Sequence, residues 1–198
     1  MKTGLGLRRK IRFIYAKYNC FRFWWRKKLL GFDVANHFIR QVDKVSLKRI
    51  LSINGAKIGI NCDIESGLIF HNCNDYSNLI IGDNCHIGKN CFFDLRDKVT
   101  IGDNVVISMN NTIITHIDMT KSGLNNIYPA NSAPVLIGND TYIGANSVVL
   151  KGVSIGKYVI VASGSVVNKK VEDRCVVAGV PAKLIKTIAS GYNENVCK

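Results

Sequence analysis

His116 is the side chain in this sequence whose type and position best fit acid–base chemistry. It stands in Thr115-His116-Ile117-Asp118, directly before a long segment rich in turn-forming residues. An imidazole titrates near neutral pH, so a histidine held at the wall of a cleft is a suitable general base. A histidine that only anchors the following loop is an equally weighted alternative on these residues alone. Of the other histidines, His86 is predicted to face solvent, and His37 and His71 carry no readable signal.

An aliphatic residue returns at every sixth position between Val135 and Val167, and this period predicts the fold. The repeat positions are Ile137, Ile143, Val149, Ile155, Val161 and Val167. Six-residue periodicity is typical of a parallel β-helix of hexapeptide repeats, in which each hexad is a short strand and a corner. The residue two before each repeat position is also expected to point inward, because side chains alternate along a strand. Glycine, asparagine and aspartate suit the corners, where the backbone turns tightly.

The repeat continues upstream and is interrupted where the candidate chemistry lies. It begins at Ile58, blurs through residues 68–77, slips by two residues after Phe93 and stops between Ile117 and Pro134. The last interruption predicts a loop extruded from a corner, and a long loop on a rigid scaffold is usually functional. Counting hexads places Asp94 one turn below Ile114, on the face that leads to the His116 corner.

No second group for covalent or metal chemistry accompanies His116. The sequence has no GxSxG elbow and no cysteine near His116 in the repeat register. We therefore expect direct transfer to an acceptor that His116 activates, without a covalent enzyme intermediate. No metal site is expected, because the seven cysteines include no CxxC pair and the position five after His116 is Lys121. Cys85 and Cys91 fall on inward positions and are predicted to be buried, reduced fillers.

The positive charge of the chain is concentrated at its beginning. Of 27 basic residues, ten lie in residues 1–32 without any acidic residue, so the remaining 17 basic and 14 acidic residues leave +3 on the body. Within this arm seven apolar residues recur at steps of three and four, which predicts one face of a helix: Leu7, Ile11, Ile14, Tyr18, Phe21, Trp25 and Leu29. Gly31 is the predicted stop. The arm fits an interfacial helix on an anionic membrane or, with equal weight, a packing or trimer-stabilising helix; nucleic-acid binding fits less well and is not expected.

A second short helix is predicted from Lys44 to about Ser52. Asp43 is a suitable N-cap, and Asn54–Gly55 a suitable end. Its apolar residues are expected to cover the open end of the coil: Val45, Leu47, Ile50 and Leu51. The predicted division is a helical arm and cap at residues 1–56, a β-helix at 57–186 and a tail at 187–198 with a short helix as one option.

The motifs taken together resemble the hexapeptide-repeat acyltransferases, in particular the maltose and galactoside O-acetyltransferases and the O-acetyltransferases of surface polysaccharide synthesis. The resemblance covers residues 58–186 and includes the repeats, Thr115 to Asp118, the loop, Tyr142-Ile143-Gly144-Ala145 and the segment Ala178 to Lys183. It implies a left-handed β-helix, a homotrimer with active sites between neighbouring coils, and acetyl-CoA as co-substrate for O-acetylation of a carbohydrate acceptor.

The resemblance also implies roles for individual residues. His116 matches the catalytic base, and Asn90 matches an acceptor contact, with Asp94 and Tyr142 also placed on the acceptor side. Six positions match the coenzyme groove: Ala145 and Ser163 along the pantetheine arm, and Asn168, Lys169, Lys183 and Lys186 near the nucleotide phosphates. Lysines are suitable phosphate ligands because they are compact point charges.

Two departures from the family pattern, a tyrosine where tryptophan is usual at position 142 and the basic arm in place of a short N-terminal domain, favour a membrane-near acceptor such as a lipid-linked glycan. We expect a cytoplasmic enzyme, at or near the inner face of the membrane. The alternatives are a serine acetyltransferase, disfavoured because Phe70-His71-Asn72 lacks the aspartate of that branch, an acetyltransferase of antibiotic hydroxyls, and a non-catalytic β-helical scaffold.

Overall fold

A computed structural model describes residues 3–189, with side chains from Gly6 onward, as three helices followed by a parallel β-solenoid of about six turns. The helices are α1 (Thr3–Leu30), α2 (Phe32–Phe38) and α3 (Lys44–Ile53), with a 3₁₀ turn at Ile39–Gln41. The first eleven strands are β1 (Lys57–Ile58), β2 (Asp63–Ile64), β3 (Ile69–His71), β4 (Leu79–Ile81), β5 (His86–Ile87), β6 (Phe92–Asp94), β7 (Val99–Ile101), β8 (Val106–Ile107), β9 (Thr112–Ile113), β10 (His116–Ile117) and β11 (Asn131–Ser132). The remaining strands are β12 (Val135–Ile137), β13 (Tyr142–Ile143), β14 (Val148–Val149), β15 (Ser154–Ile155), β16 (Ile160–Val161), β17 (Val166–Val167), β18 (Cys175–Ala178) and β19 (Lys183–Thr187).

The strands form three parallel sheets that make the sides of the coil. Sheet A is β1-β4-β7-β12-β15, sheet B is β2-β5-β8-β13-β16-β18 with β19 added antiparallel, and sheet C is β3-β6-β9-β14-β17. The chain passes from A to B to C and back to A on each turn. We name the bends A–B, B–C and C–A corners after the sheets that they join.

The predicted inward positions fill the coil. Ile143 is fully buried and Thr141, two residues before it, is 2% exposed. The Thr141 hydroxyl donates to the Gly156 carbonyl at 2.9 Å, and the Ser165 hydroxyl donates to the Ala162 carbonyl at 2.6 Å. These small polar side chains are therefore tolerated in an otherwise apolar interior because corner carbonyls of the coil accept their hydrogen bonds. Cys85 and Cys91 are buried there as predicted.

The corners carry the predicted left-handed residues in vertical rows. Asn61, Asn84, Asn104 and Asp140 all have φ between 53° and 58° at the A–B corner. Their side chains are linked from turn to turn by amide hydrogen bonds of 2.9, 3.3 and 3.0 Å. Asparagine and aspartate tolerate this backbone and bond to each other, so the same residues both turn the chain and tie successive turns together.

α3 covers the first turn as predicted. Asp43 caps it by accepting from the backbone N–H groups of Val45 and Ser46 at 3.0 and 3.2 Å. Leu47, Ile50 and Leu51 are buried against the coil. Val45 was expected among them, and this was wrong: it is 43% exposed, because it lies in the first turn of α3 on the side away from the coil.

α1 ends at Leu30 and Gly31 follows with φ 89°, as predicted, but the helix packs through an unexpected face. Ala16, Asn19 and Phe23 are the buried residues, and the Phe23 ring lies 6.3 Å from the Tyr76 ring. The predicted apolar face lies opposite and is exposed. The sequence also gave no sign of α2, which resumes the helix one residue after Gly31. The Thr187 end of β19 and the two residues after it are not helical, and residues 190–198 lie outside the described range.

Candidate active site at the C–A corner

His116 lies at the C–A corner, where the regular coil gives way to the extruded loop. The hairpin β10–β11 forms the base of that loop, with His116 opposite Ser132 and Ile117 opposite Asn131. The Ala133 N–H donates to the Thr115 carbonyl at 2.9 Å and closes the hairpin. The His116 side chain is 20% exposed, so one edge of the ring is held by the protein and the other is accessible.

Asp94 occupies the same corner one turn below and fixes the ring. It ends β6 and is only 1% exposed. Its Oδ2 lies 2.6 Å from His116 Nδ1 and also accepts from the backbone N–H and the hydroxyl of Thr115, both at 2.8 Å. Burial would raise the pKa of Asp94, but the hydrogen bonds from His116, Thr115 and Asn72 outweigh it and lower the pKa to about 2. The carboxylate therefore stays ionised and accepts the proton of Nδ1, which leaves Nε2 with a free lone pair.

Asn72 completes the corner and was not identified from the sequence. Its Nδ2 donates to Asp94 Oδ1 at 3.1 Å and lies 3.3 and 3.4 Å from the two ring nitrogens of His116. Asn72 has φ 52°, the backbone that corner asparagines adopt elsewhere in this coil. The usable signal was the spacing, because Asn72, Asp94 and His116 follow one another at intervals of 22 residues.

This position differs from the expected role of Asp94 as an acceptor contact. A side chain that is 1% exposed and already accepts four hydrogen bonds has no free oxygen for a sugar hydroxyl. Asp94 acts through His116 instead, as the residue that orients the imidazole. Its neighbour Arg96 contacts Asp118 at 3.1 Å and so holds the start of the loop.

Asn90 lies at the opposite edge of sheet C from His116. It sits at the B–C corner with φ 57° and is exposed. Together with Gly67 and three residues of the N-terminal helical region it lines a cavity of about 410 Å³; those three are His37, Arg40 and Gln41. The N-terminal region therefore shapes the surroundings of Asn90, and His37 gains a position that the sequence did not reveal.

Ala145 and Ser163 also lie at the B–C corner, on successive turns. The Gly164 N–H donates to the Ala145 carbonyl at 2.8 Å. An added Cβ at Gly144 would lie 2.5 Å from the Ser163 nitrogen, so glycine is needed for this close approach. Within residues 3–189, the backbone N–H groups of Ala145 and Ser163 donate to no protein acceptor, which leaves them available to a ligand.

The other predicted groove residues are only partly brought together. Ala182 donates to the Val166 carbonyl at 2.8 Å, which places Lys183 beside the start of β17, next to the B–C corner. Lys186 pairs with Val176 on the sheet B side, and Asn168 and Lys169 follow β17 at the other end of sheet C. Tyr142 is 41% exposed in the middle of sheet B. Within one chain, none of these residues reaches His116.

The charged groups of the described range do not form a metal site, since no three histidine, cysteine, aspartate or glutamate side chains converge there. Likewise, none of the described helices combines the length and apolar character needed to cross a bilayer.

Sequence comparisons connect this arrangement to known enzymes. The family model described as "Bacterial transferase hexapeptide (six repeats)" matches residues 134–169, and "Hexapeptide repeat of succinyl-transferase" matches residues 78–115. The galactoside O-acetyltransferase of Escherichia coli (strain K12) is 38% identical over 174 residues, which cover 82% of this chain and 78% of that protein.

Solved structures agree with this relationship. A maltose O-acetyltransferase from Clostridium difficile 630 superposes with a TM-score of 0.66 at 26% identity, over 88% of this chain and 85% of that one. A galactoside acetyltransferase in complex with coenzyme A superposes with a TM-score of 0.67 at 26% identity, over 98% and 90%. The fold predicted from the six-residue period is confirmed, and the chain belongs to the hexapeptide-repeat acyltransferase family.

Proposed function

We propose that this protein is an acetyl-CoA-dependent O-acetyltransferase that acetylates a hydroxyl of a sugar. The observation that carries the proposal is the 2.6 Å contact between the buried Asp94 carboxylate and Nδ1 of the partly exposed His116 ring. It orients a histidine with a free Nε2 at the mouth of the extruded loop. The relationship to a galactoside O-acetyltransferase supplies the reaction class, and the coenzyme A complex of a galactoside acetyltransferase supplies the co-substrate.

The proposed reaction is a direct acyl transfer. Nε2 of His116 takes the proton of the acceptor hydroxyl while its oxygen attacks the thioester carbonyl carbon of acetyl-CoA. The tetrahedral intermediate carries a negative oxygen, for which the free N–H groups of Ala145 or Ser163 are suitable donors. The carbon–sulfur bond then breaks, the ester remains on the sugar, and the imidazolium returns its proton to the thiolate of coenzyme A. Asp94 stabilises the imidazolium in between.

We propose that the acceptor occupies the cavity beside Asn90. Its lining offers an amide, a guanidinium and an imidazole, which are hydrogen-bond donors suited to the hydroxyl and acidic groups of a glycan. The finer assignment is a surface polysaccharide or its lipid-linked precursor, with the enzyme in the cytoplasm near the inner face of the membrane. This assignment rests on the polar cavity and on the basic N-terminal region that lines it.

We propose a homotrimer because one chain does not assemble the whole site. His116 is at the C–A corner, whereas Asn90, Ala145 and Ser163 are at the B–C corner, on the other edge of sheet C. A neighbouring copy that sets its B–C corner against this C–A corner would bring base, acceptor cavity and thioester groove together. The loop residues Leu124, Ile127 and Tyr128 are 50–68% exposed in the single chain and are available for that contact.

Thiol release from acetyl-CoA tests the activity. The purified protein is given acetyl-CoA with a panel of monosaccharides, oligosaccharides and serine, beside His116→Ala. Release of coenzyme A with a carbohydrate, lost in the variant, is the expected result. Release with serine alone would move the enzyme to amino-acid acetylation, and an absence of both release and acetyl-CoA binding would leave a scaffold without catalysis.

Mixing two inactive variants tests the shared site. His116→Ala removes the base, and Ala145→Trp fills the proposed groove. When the two chains are co-expressed, about a quarter of the interfaces in random trimers pair an intact base with an intact groove, so roughly a quarter of the wild-type activity should return. A site contained in one chain would give no recovery.

A further inference from the structure

The outer face of α1 carries an apolar stripe that the rest of the molecule leaves uncovered. The stripe consists of Leu7, Ile11, Ile14, Tyr18, Phe21, Trp25 and Leu29, and each of them is 49–66% exposed. It extends over about 33 Å of helix. Ala16, Asn19 and Phe23, which pack against the body, lie on the opposite side of the helix. The stripe is therefore not a requirement of the fold, and its exposure needs a partner.

Basic side chains border this stripe on both sides. Lys10, Lys17 and Lys28 follow one side of it, and Arg8 and Arg22 follow the other, at the positions that the helical repeat places next to the stripe. Lys28 Nζ lies 5.3 Å from the Trp24 ring centroid, and Arg22 lies 5.5 Å from that of Tyr18. In the described part of the chain, no carboxylate forms an ion pair with a cation of α1.

We propose that α1 lies in the plane of an anionic lipid bilayer, with the stripe in the acyl boundary and the bordering lysines and arginines at the headgroups. This goes beyond the proposed transferase reaction and does not depend on it. An apolar face, aromatic residues and a cationic border on one helix are what an interfacial helix requires. The orientation also follows, because the face that packs on α2 and α3 points the coil away from the lipid.

Charge distinguishes this occupant from a second copy of the chain. Residues 1–32 contain ten basic and no acidic residues, so two stripes placed together would oppose two cationic borders with nothing to neutralise them. An anionic surface satisfies the same cations. Nucleic acid would satisfy the charges and leave seven apolar side chains in water.

Vesicle binding tests the proposal with the full-length protein. The probes are phosphatidylcholine vesicles with and without phosphatidylglycerol. The two tryptophans of the chain are Trp24 and Trp25, each 49% exposed, so their emission should shift to the blue on the anionic vesicles only. Co-sedimentation should follow the same lipid dependence and weaken in high salt. An absence of shift and of co-sedimentation would overturn the proposal.

A matched pair of variants assigns the binding to the stripe. Ile14→Glu and Ile60→Glu change the same residue type and the same charge at positions that are 66% and 73% exposed, but Ile60 lies on the coil. We expect Ile14→Glu to lower vesicle partitioning by about tenfold or more, and Ile60→Glu to leave it unchanged. Equal binding by both would also overturn the proposal.

Two further readouts separate the remaining explanations. If Ile14→Glu is poorly folded by circular dichroism, the milder Phe21→Ser takes its place with the same expectation. If the wild type ignores vesicles and Ile14→Glu changes the mass of the assembly in light scattering, the stripe is a copy-to-copy interface and the lipid proposal fails. Acetyl transfer to a water-soluble acceptor should persist in Ile14→Glu, so this test and that of the transferase fail independently.

Discussion

Replacing Asp94 with asparagine removes the charge beside His116 and keeps the size of the side chain. In the wild type, Oδ2 accepts three hydrogen bonds, from His116 Nδ1 and from the N–H and hydroxyl of Thr115. Oδ1 accepts one from Asn72 at 3.1 Å. Both oxygens face donors, so the new amide NH₂ finds no acceptor in either orientation. It is expected on the Oδ1 side, where only the contact with Asn72 is lost.

The size of the effect follows from the lost charge. A hydrogen bond to a charged group contributes about 1.5–3 kcal/mol. The imidazolium that forms during the reaction loses this stabilisation, and each 1.36 kcal/mol corresponds to a factor of ten in rate, so kcat should fall about 10- to 150-fold. The buried, unpaired NH₂ should also lower the free energy of unfolding by about 1–3 kcal/mol. The KM for acetyl-CoA should stay close to wild type, because the proposed groove is at the B–C corner.

Thiol release under saturating acetyl-CoA measures kcat, and denaturant unfolding measures stability. Asp140→Asn is the matched control: the substitution is the same, it lies at the A–B corner, and asparagine suits its φ of 58°. The control should retain wild-type kcat. A kcat for Asp94→Asn within about threefold of wild type, in a folded protein, would refute the role given to the carboxylate.

Three further outcomes are expected. Asn72→Gly removes the amide yet tolerates φ 52°, and should lower kcat about fivefold, whereas Asn84→Gly at the A–B corner should not; equal rates in both variants would contradict the assigned position of Asn72. Because the folded pKa of Asp94 is about 2, below its ordinary 3.8, its ionised form should stabilise the fold by about 2 kcal/mol above pH 5, and unfolding curves of wild type and Asp94→Asn should lose this difference between about pH 4 and pH 2 rather than keep it. Phe23→Ala should lower the free energy of unfolding by about 3–5 kcal/mol, and Phe21→Ala by less than about 0.5 kcal/mol; a reversed order would contradict the packing of α1.

The sequence determined the fold because its signal is local and repeated. Every hexad between Val135 and Val167 must bury its repeat residue, and strands 18 residues apart, such as Val149 and Val167, then stack without further information. The asparagines of the corners were equally readable, since a left-handed backbone restricts the residue types locally. His116 was identified as a candidate by its place before the interruption.

The composition of the site was decided by tertiary structure. In the first turns the stacking distance is not 18: Phe93 pairs with Phe70, 23 residues before it, and with Ile113, 20 residues after it. Inserted corner residues set these distances, and no local pattern fixes how many of them one corner absorbs. The sequence therefore brought Asp94 near His116 but did not predict its burial, and it missed Asn72 in the segment where the repeat blurs.

The helix α1 shows the same division. Its periodicity determined that seven apolar residues share one face. Which face packs depended on the shape of the body, where Phe23 fits between Phe32 and Tyr76, and so the smaller face of Ala16, Asn19 and Phe23 became the buried one. A periodic sequence specifies the side chains that point together, whereas only the packed structure decides what they meet, because burial depends on contacts between residues far apart in the chain.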